Sequence, residues 1–331
     1  MNALPQLRPM TFTDLIDASF RLYRSNFITF VGIVAVVQVP MVIAQIILQN
    51  TLGANYLRLL MSMSSTGGGS SVPFMGNDVL TSIIAYLVAL LLLTFVQVLL
   101  LQTLCTGALA RAISSSYLGQ KIGIVDAYRF GMGRFLNLIG ATVLVGLCNT
   151  LALAVVLGVP AGLVFAATQS GNDPSPAATI AALLLFLVLI LVYVIAALVI
   201  AARLLFATQA IVLEDQGGIS GLRRSWNLTQ GSFWRIVGIT ALITLIVAIV
   251  AGIPAGVVSF LLNLFAAGNL DRMLLAQTIN LVLTYTGNIL ALPLQYGIFT
   301  LLYYDLRVRK EAFDLELRTQ QIEPNPETQP L

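Results

Sequence analysis

The side chains of this 331-residue chain whose types and spacing could do chemistry are acidic. Glu214 stands beside Asp215, and Asp305 is followed by Glu311, Asp314 and Glu316. Paired carboxylates can exchange protons with a substrate or hold Mg²⁺, but adjacent acids beside arginines at a membrane surface usually form a solvated face. No spacing here specifies a metal. The chain has no histidine, which excludes Ser-His-Asp, Cys-His and His-zinc sites. Its two cysteines, Cys105 and Cys148, fall in apolar runs where a thiol acts as a small buried hydrophobe, so neither a disulfide framework nor a CxxC site exists. The expectation is a protein that is not an enzyme, with no catalytic residue, no metal and no cofactor.

The elements that carry these residues are set by composition. Hydrophobic residues make up 58% of the chain and charged ones 9%, against roughly 25% charged in an average soluble domain. Mean hydropathy is +0.93. Six apolar segments stand out, at about Phe27 to Leu48, Ile83 to Ala108, Leu136 to Ala166, Ala177 to Ala202, Ile236 to Ala267 and Leu274 to Tyr303. The first has 22 residues, which at ~1.5 Å each reaches ~33 Å, enough to cross a hydrocarbon core. The third and fifth exceed 30 residues, which requires tilt, a kink or a terminal piece outside the hydrocarbon. Pro40, Pro160 and Pro254 are the expected kinks. The fold class is all-α: a polytopic membrane protein with six transmembrane helices in one domain over residues 1–319, followed by a disordered tail over 320–331. The stretch Ser64 to Ser71 reads as a flexible linker.

Charge gives an orientation. The net charge is +3, with seventeen basic residues. An even number of spans puts fifteen of them on one face and leaves Arg58 and Arg272 on the other. The positive-inside rule then places both termini in the cytoplasm of a cell-membrane protein. The first apolar run is of full spanning length, so no cleavable signal peptide is expected. The Asn227-Leu-Thr229 sequon falls on the cytoplasmic side and reads as chance.

A threefold pattern runs through the chain. Phe27-Ile-Thr-Phe-Val-Gly32, Phe135-Leu-Asn-Leu-Ile-Gly140 and Phe233-Trp-Arg-Ile-Val-Gly238 share their spacing. Val39-Pro40, Gly158-Val-Pro-Ala-Gly162 and Gly252-Ile-Pro-Ala-Gly256 follow in the first span of each pair, and Arg111, Arg203 and Arg307 end each second span. The inferred unit is an interfacial helix followed by two spans, repeated at about 11–112, 119–208 and 214–310. This gives three parallel helical hairpins, each preceded by a cytoplasmic amphipathic helix. In the first lead-in, Phe12, Leu15, Ile16, Ser19, Phe20 and Tyr23 recur at three-and-four spacing. The second includes Ile124, Ala127 and Tyr128, and the third Ile219 and Leu222.

Two binding readings follow. The lead-in helices form a basic and aromatic collar with Arg21, Arg24, Arg129, Arg223, Arg224 and Trp226. In the plain reading these residues anchor helix ends; in the functional one they bind anionic lipid headgroups or a protein partner on the cytoplasmic face. Asn280, Thr284, Asn288 and Gln295, with Gly287 and Ala291, form a polar stripe on the sixth span that holds helices together or lines a cavity. No Asp, Glu, Lys or Arg lies near the middle of a span, so proton-coupled transport is not expected. Nothing points to nucleic acid.

The stretch from Ile211 to Arg235, with Glu214-Asp215 and Arg223-Arg224-Ser225-Trp226, resembles the glycerophosphoryl diester phosphodiesterase membrane-domain family. Phe12 through Arg24 and Tyr303 through Leu315 agree with it, so the resemblance covers nearly the whole chain. It implies a multi-pass membrane protein, the membrane part standing alone. No activity carries over, because phosphodiesterases of that type use a separate soluble barrel with catalytic histidines. The leading expectation is a non-catalytic membrane protein that organises or regulates a partner, or binds lipid, through its cytoplasmic collar. The alternative is a transporter or flippase-like passage for a small amphiphile along span six.

Overall fold

A long run of leucine, isoleucine, valine and alanine offers its backbone amides no partners in hydrocarbon except each other, and the helix satisfies them locally. The computed structural model of the chain is all-helical, with no strand among the described residues, 9–58, 77–169, 176–266 and 269–312. The expected linker at Ser64 to Ser71, the tail over 320–331, and Arg8, Asp314, Glu316 and Arg318 lie outside them.

Six helices are long and apolar enough to cross a membrane: Phe27–Arg58, Leu80–Tyr117, Phe135–Phe165, Ile180–Leu213, Phe233–Val250 and Leu270–Glu311. They follow the six apolar segments in order. In the fourth, Leu184, Leu187, Leu191 and Ile195 are all exposed.

In chain order, α1 (Phe12–Ser25) and α2 (Phe27–Leu48) meet at Asn26, and a π-helical turn, Gln49–Gly53, continues α2. A second long helix consists of α3 (Asn77–Phe95), a π turn at Val96–Gln102 and α4 (Thr103–Tyr117). The short α5 (Ile124–Met132) leads to α6 (Phe135–Gln169) and α7 (Pro176–Leu204). Two more short helices, α8 (Ala207–Leu213) and α9 (Gly218–Thr229), precede α10 (Phe233–Val247), a π turn at Ala248–Gly252 and α11 (Ile253–Ala266). The last helix is α12 (Leu270–Glu311).

Local chemistry accounts for several boundaries. Thr11 and Asp14 begin α1 with a capping box: the Thr11 hydroxyl accepts from the Asp14 N–H, and the Asp14 carboxylate accepts from the Thr11 N–H. Asn269 caps α12 by accepting from the Arg272 N–H. Pro254 has no N–H for the carbonyl four residues back, and the widened turn at Ala248–Gly252 lies just before it. Pro40 and Pro160 sit inside α2 and α6, which run on uninterrupted. Helix α12 has 42 residues, which at ~1.5 Å each is about twice a hydrocarbon thickness. Its later turns pack inside protein, and Gly297 through Leu306 are all buried.

The chain divides into two compact units, residues 1–135 with 238–331, and residues 136–237. In the first, Phe30, Ile33, Val34 and Val37 of α2 pack against Cys105, Ala108, Leu109 and Ala112 of α4, with Ala127 of α5. Small residues on α4 let α5 come close: a Cβ on Gly131 would stand 3.3 Å from the Ala108 backbone nitrogen. In the second unit Phe206, Ala210, Ile211 and Leu228 form the buried centre. Ser225 ties α9 to the break between α7 and α8, donating to the Arg203 carbonyl at 2.8 Å and accepting from the Phe206 N–H at 3.2 Å. Each of the helices that carry Arg111, Arg203 and Arg307 near their C-terminal ends packs on a short one: α4 on α5, α7 on α9, and α12 on α1.

The last of these contacts is a clamp. Asp305 is fully buried, which corrects its reading as part of a solvated acidic face. Its Oδ1 accepts from the Met10 N–H at 2.7 Å, and the Arg309 Nε donates to both carboxylate oxygens at 3.0 Å. The Arg309 Nη2 also donates to the Met10 carbonyl at 2.8 Å. Burial of the carboxylate is possible because these donors replace its water. Asp305→Ala is therefore expected to destabilise the fold by on the order of 3 kcal/mol. Thermal melting in detergent checks this, and an unchanged midpoint contradicts it.

Candidate functional site

An arginine held by carboxylates is neutralised, whereas one held by an aromatic face keeps its edge N–H groups for another oxyanion. The arginines that end the long helices divide on this basis. In α4, the Arg111 guanidinium stands 4.1 Å from the centroid of the Phe130 ring on α5, and Arg134 stands 4.2 Å from the same ring. The buried Nε of Arg111 has no hydrogen-bond partner. At the end of α7, Arg203 stands 5.4 Å from the Trp226 ring and 5.9 Å from that of Phe233, and its Nε and Nη1 have no hydrogen-bond partner. Arg307 of α12 differs, donating to Glu311 at 3.3 Å.

The collar residues expected from sequence take several environments. Arg21 and Arg24 on α1 and Arg129 on α5 are exposed, all in the first unit. In the second unit Arg223 is exposed on α9. Arg224 is half-buried and bidentate to Glu214, with Nε to Oε2 at 2.7 Å and Nη2 to Oε1 at 3.0 Å. That geometry already occupies the guanidinium fork. Trp226 is exposed and lies against Arg203. Sequence reasoning marked Arg111 and Arg203 as span ends and missed both as site residues, along with Arg134. The available signal was an arginine closing a span with an aromatic residue in the next short helix.

Of the stripe on α12, the small residues Gly287 and Ala291 line a cavity in the first unit, and the four polar side chains lie elsewhere on the helix. Thr284 and Asn288 are exposed, and Asn280 and Gln295 are half-buried. The cavity, of about 600 Å³, lies between α1, the α10–α11 break and α12, and α12 turns Leu283, Gly287, Ala291 and Leu294 toward it. None of the four stripe residues lines it. A second hollow, of about 550 Å³, lies in the other unit beside Pro160 and Phe186. Among the described residues no group of three or more His, Cys, Asp or Glu could hold a metal ion.

Tyr128 fixes the collar helix α5 to the first span. Its hydroxyl donates to the Ile33 carbonyl at 2.6 Å. Burial, then the neighbouring Cys105, pushes its phenol well above the ordinary 10.0.

A family model described as a domain of unknown function, DUF7847, matches residues 16–306. The chain belongs to that family. The match runs from within α1 to the buried turns of α12, and so includes both units. No curated protein and no solved structure matches the chain. The family description names no activity, and nothing in it links the chain to glycerophosphoryl diester phosphodiesterase membrane domains.

Tyr128→Phe removes the bond to Ile33 and is expected to cost about 1 kcal/mol. The raised phenol ionises in the unfolded chain before the folded one. Its contribution to stability is therefore present below pH 10.0 and is lost as pH rises above that value. Melting curves of both proteins from neutral pH to beyond that point should converge; a constant difference contradicts the assignment.

Proposed function

We propose that the chain is a non-catalytic multi-pass protein of the cell membrane, with both termini in the cytoplasm, that binds anionic lipid headgroups through its basic cytoplasmic face and so organises or regulates a membrane-associated partner. The observation that carries this reading is the pair Arg111 and Arg203. Each lies in the last turns of a helix of spanning length, rests on an aromatic ring, has a buried Nε without an acceptor, and is only half-buried, so that the rest of its guanidinium edge faces outward. A phosphate oxygen at the membrane surface is the acceptor such groups suit best.

The arrangement proposed around these arginines is three parallel helical hairpins, each preceded by an amphipathic helix on the cytoplasmic interface. The packing of α4 on α5, α7 on α9 and α12 on α1 supports it, because each second helix meets a lead-in helix. The exposed Arg21, Arg24, Arg129 and Arg223 then add a diffuse attraction to the same anionic surface. We read the chain as the stand-alone membrane part of the kind it resembles, without phosphodiesterase chemistry.

The rival reading, a passage for a small amphiphile along α12, draws support from the cavity against that helix. Its lining is apolar and omits Asn280, Thr284, Asn288 and Gln295, which favours binding over passage of a polar group. The test is thermal stabilisation in detergent micelles doped with phosphatidylglycerol or phosphatidylcholine. Wild type should be stabilised selectively by phosphatidylglycerol. Arg111→Gln with Arg203→Gln should bind it about tenfold more weakly, equivalent to ~1.4 kcal/mol. Equal stabilisation of the double variant and wild type overturns the proposal.

A further inference from the structure

The cavity of about 600 Å³ in the first unit falls within the roughly 300–1,000 Å³ typical of small-molecule sites. Its polar groups are turned away from the space. The Tyr23 hydroxyl donates to the Leu290 carbonyl at 3.1 Å, and the Thr286 hydroxyl to the Val282 carbonyl at 2.7 Å. What faces the interior is hydrocarbon from α1, the α10–α11 break and α12. An enclosed polar molecule would lose its water there and gain no partner.

Access is sideways. Phe20, Val250, Val258 and Leu290 line the cavity and are also exposed, and Val250 and Leu290 belong to helices long enough to cross a membrane, so its mouth continues into an outward apolar surface. The π turn at Ala248–Gly252 and Pro254 set α11 off from α10 along one wall. At the α1 end the chemistry changes. Arg24 lies one helical turn beyond Phe20, and Arg21 follows Phe20 directly; both are exposed, and neither is ion-paired with a described residue.

We infer that this cavity holds one acyl chain of an anionic membrane phospholipid, with the chain between α1 and the α10–α12 wall and the headgroup phosphate against Arg24 and Arg21. The argument joins an apolar slot that opens onto an apolar surface to unpaired cations at one end of it. A single charged amphiphile meets both. The choice of headgroup rests on the proposed function; the seating of the chain does not.

The probe is phosphatidylglycerol carrying a diazirine in one acyl chain, photolysed in proteoliposomes with the full-length protein and mapped by peptide mass spectrometry. Phosphatidylcholine with the same chain serves as the comparison. Labelling should concentrate on residues 243–258 and 283–298, with phosphatidylglycerol about tenfold ahead. Ala291→Phe and Ala255→Phe place bulk into the cavity from opposite walls. Each should reduce that labelling about tenfold, while labelling of Leu184 to Ile195 on the outward face of α7 stays unchanged. A melting midpoint in detergent close to that of wild type shows that each variant remains folded. Arg21→Gln with Arg24→Gln should remove the headgroup preference and leave the chain seated.

Labelling spread evenly over all outward apolar faces overturns the inference. Equal labelling by both lipids overturns its headgroup half, and absence of labelling on residues 243–258 and 283–298 while the outward face of α7 is labelled overturns the seating of the chain. The Arg111 and Arg203 variants are unaffected by cavity filling, so their failure and this one are separately visible.

Discussion

Hydrocarbon provides no hydrogen bonds, and the rest of this structure depends on that. Over the helices long enough to cross a membrane, the helical ladder gives the backbone amides partners within the chain itself. The outward faces are apolar, as at Leu184, Leu187 and Leu191. Charged side chains are confined to the ends, where each must find an environment that replaces water. Three solutions occur. Asp305 is buried under Arg309 and the Met10 amide, Glu214 and Arg224 form a bidentate pair, and Arg111 and Arg203 rest on aromatic rings. The first two complete themselves within the protein. The third leaves N–H groups that an external oxyanion can complete, which is why a function is proposed there.

Helix α1 connects two of these features. Its leading residue contacts are fixed by the Asp305 clamp just upstream, and its next turns supply Ile16, Phe20 and Tyr23 to the wall of the cavity. Removing the clamp would therefore loosen one side of the cavity as well as the chain start. Tyr128 does similar work for α5, holding Phe130 where Arg111 can reach it.

What was legible in the sequence was what depends on length and period. Phe27 to Leu48 could be read as a span because every residue in it is apolar or uncharged, and no tertiary contact is needed to decide that. The break in the fifth run could be read from Pro254, because a missing N–H has a local consequence. Asp305 was misread because what buries it is the Met10 backbone, 295 residues away and of a kind every residue possesses, while Arg309, one helical turn on, is a pairing equally at home on a solvated face. Arg111 and Arg203 were placed at span ends but not recognised as a site, since ring stacking depends on how α5 and α9 fold back. The stripe from Asn280 to Gln295 followed a helical period and reached the cavity only at its small members, Gly287 and Ala291, while its polar side chains fall on either side of the wall that Leu283 and Leu294 complete. Periodicity defines a face; only packing decides which face meets a space.

The measurement that tests the account most directly is native mass spectrometry of the wild-type protein released from bilayer nanodiscs made with equal phosphatidylglycerol and phosphatidylcholine. A basic face built on ring-held arginines predicts retained lipid that is predominantly phosphatidylglycerol, bound in a small fixed number of copies. Retention of both lipids in the ratio supplied, with no preferred stoichiometry, would contradict it.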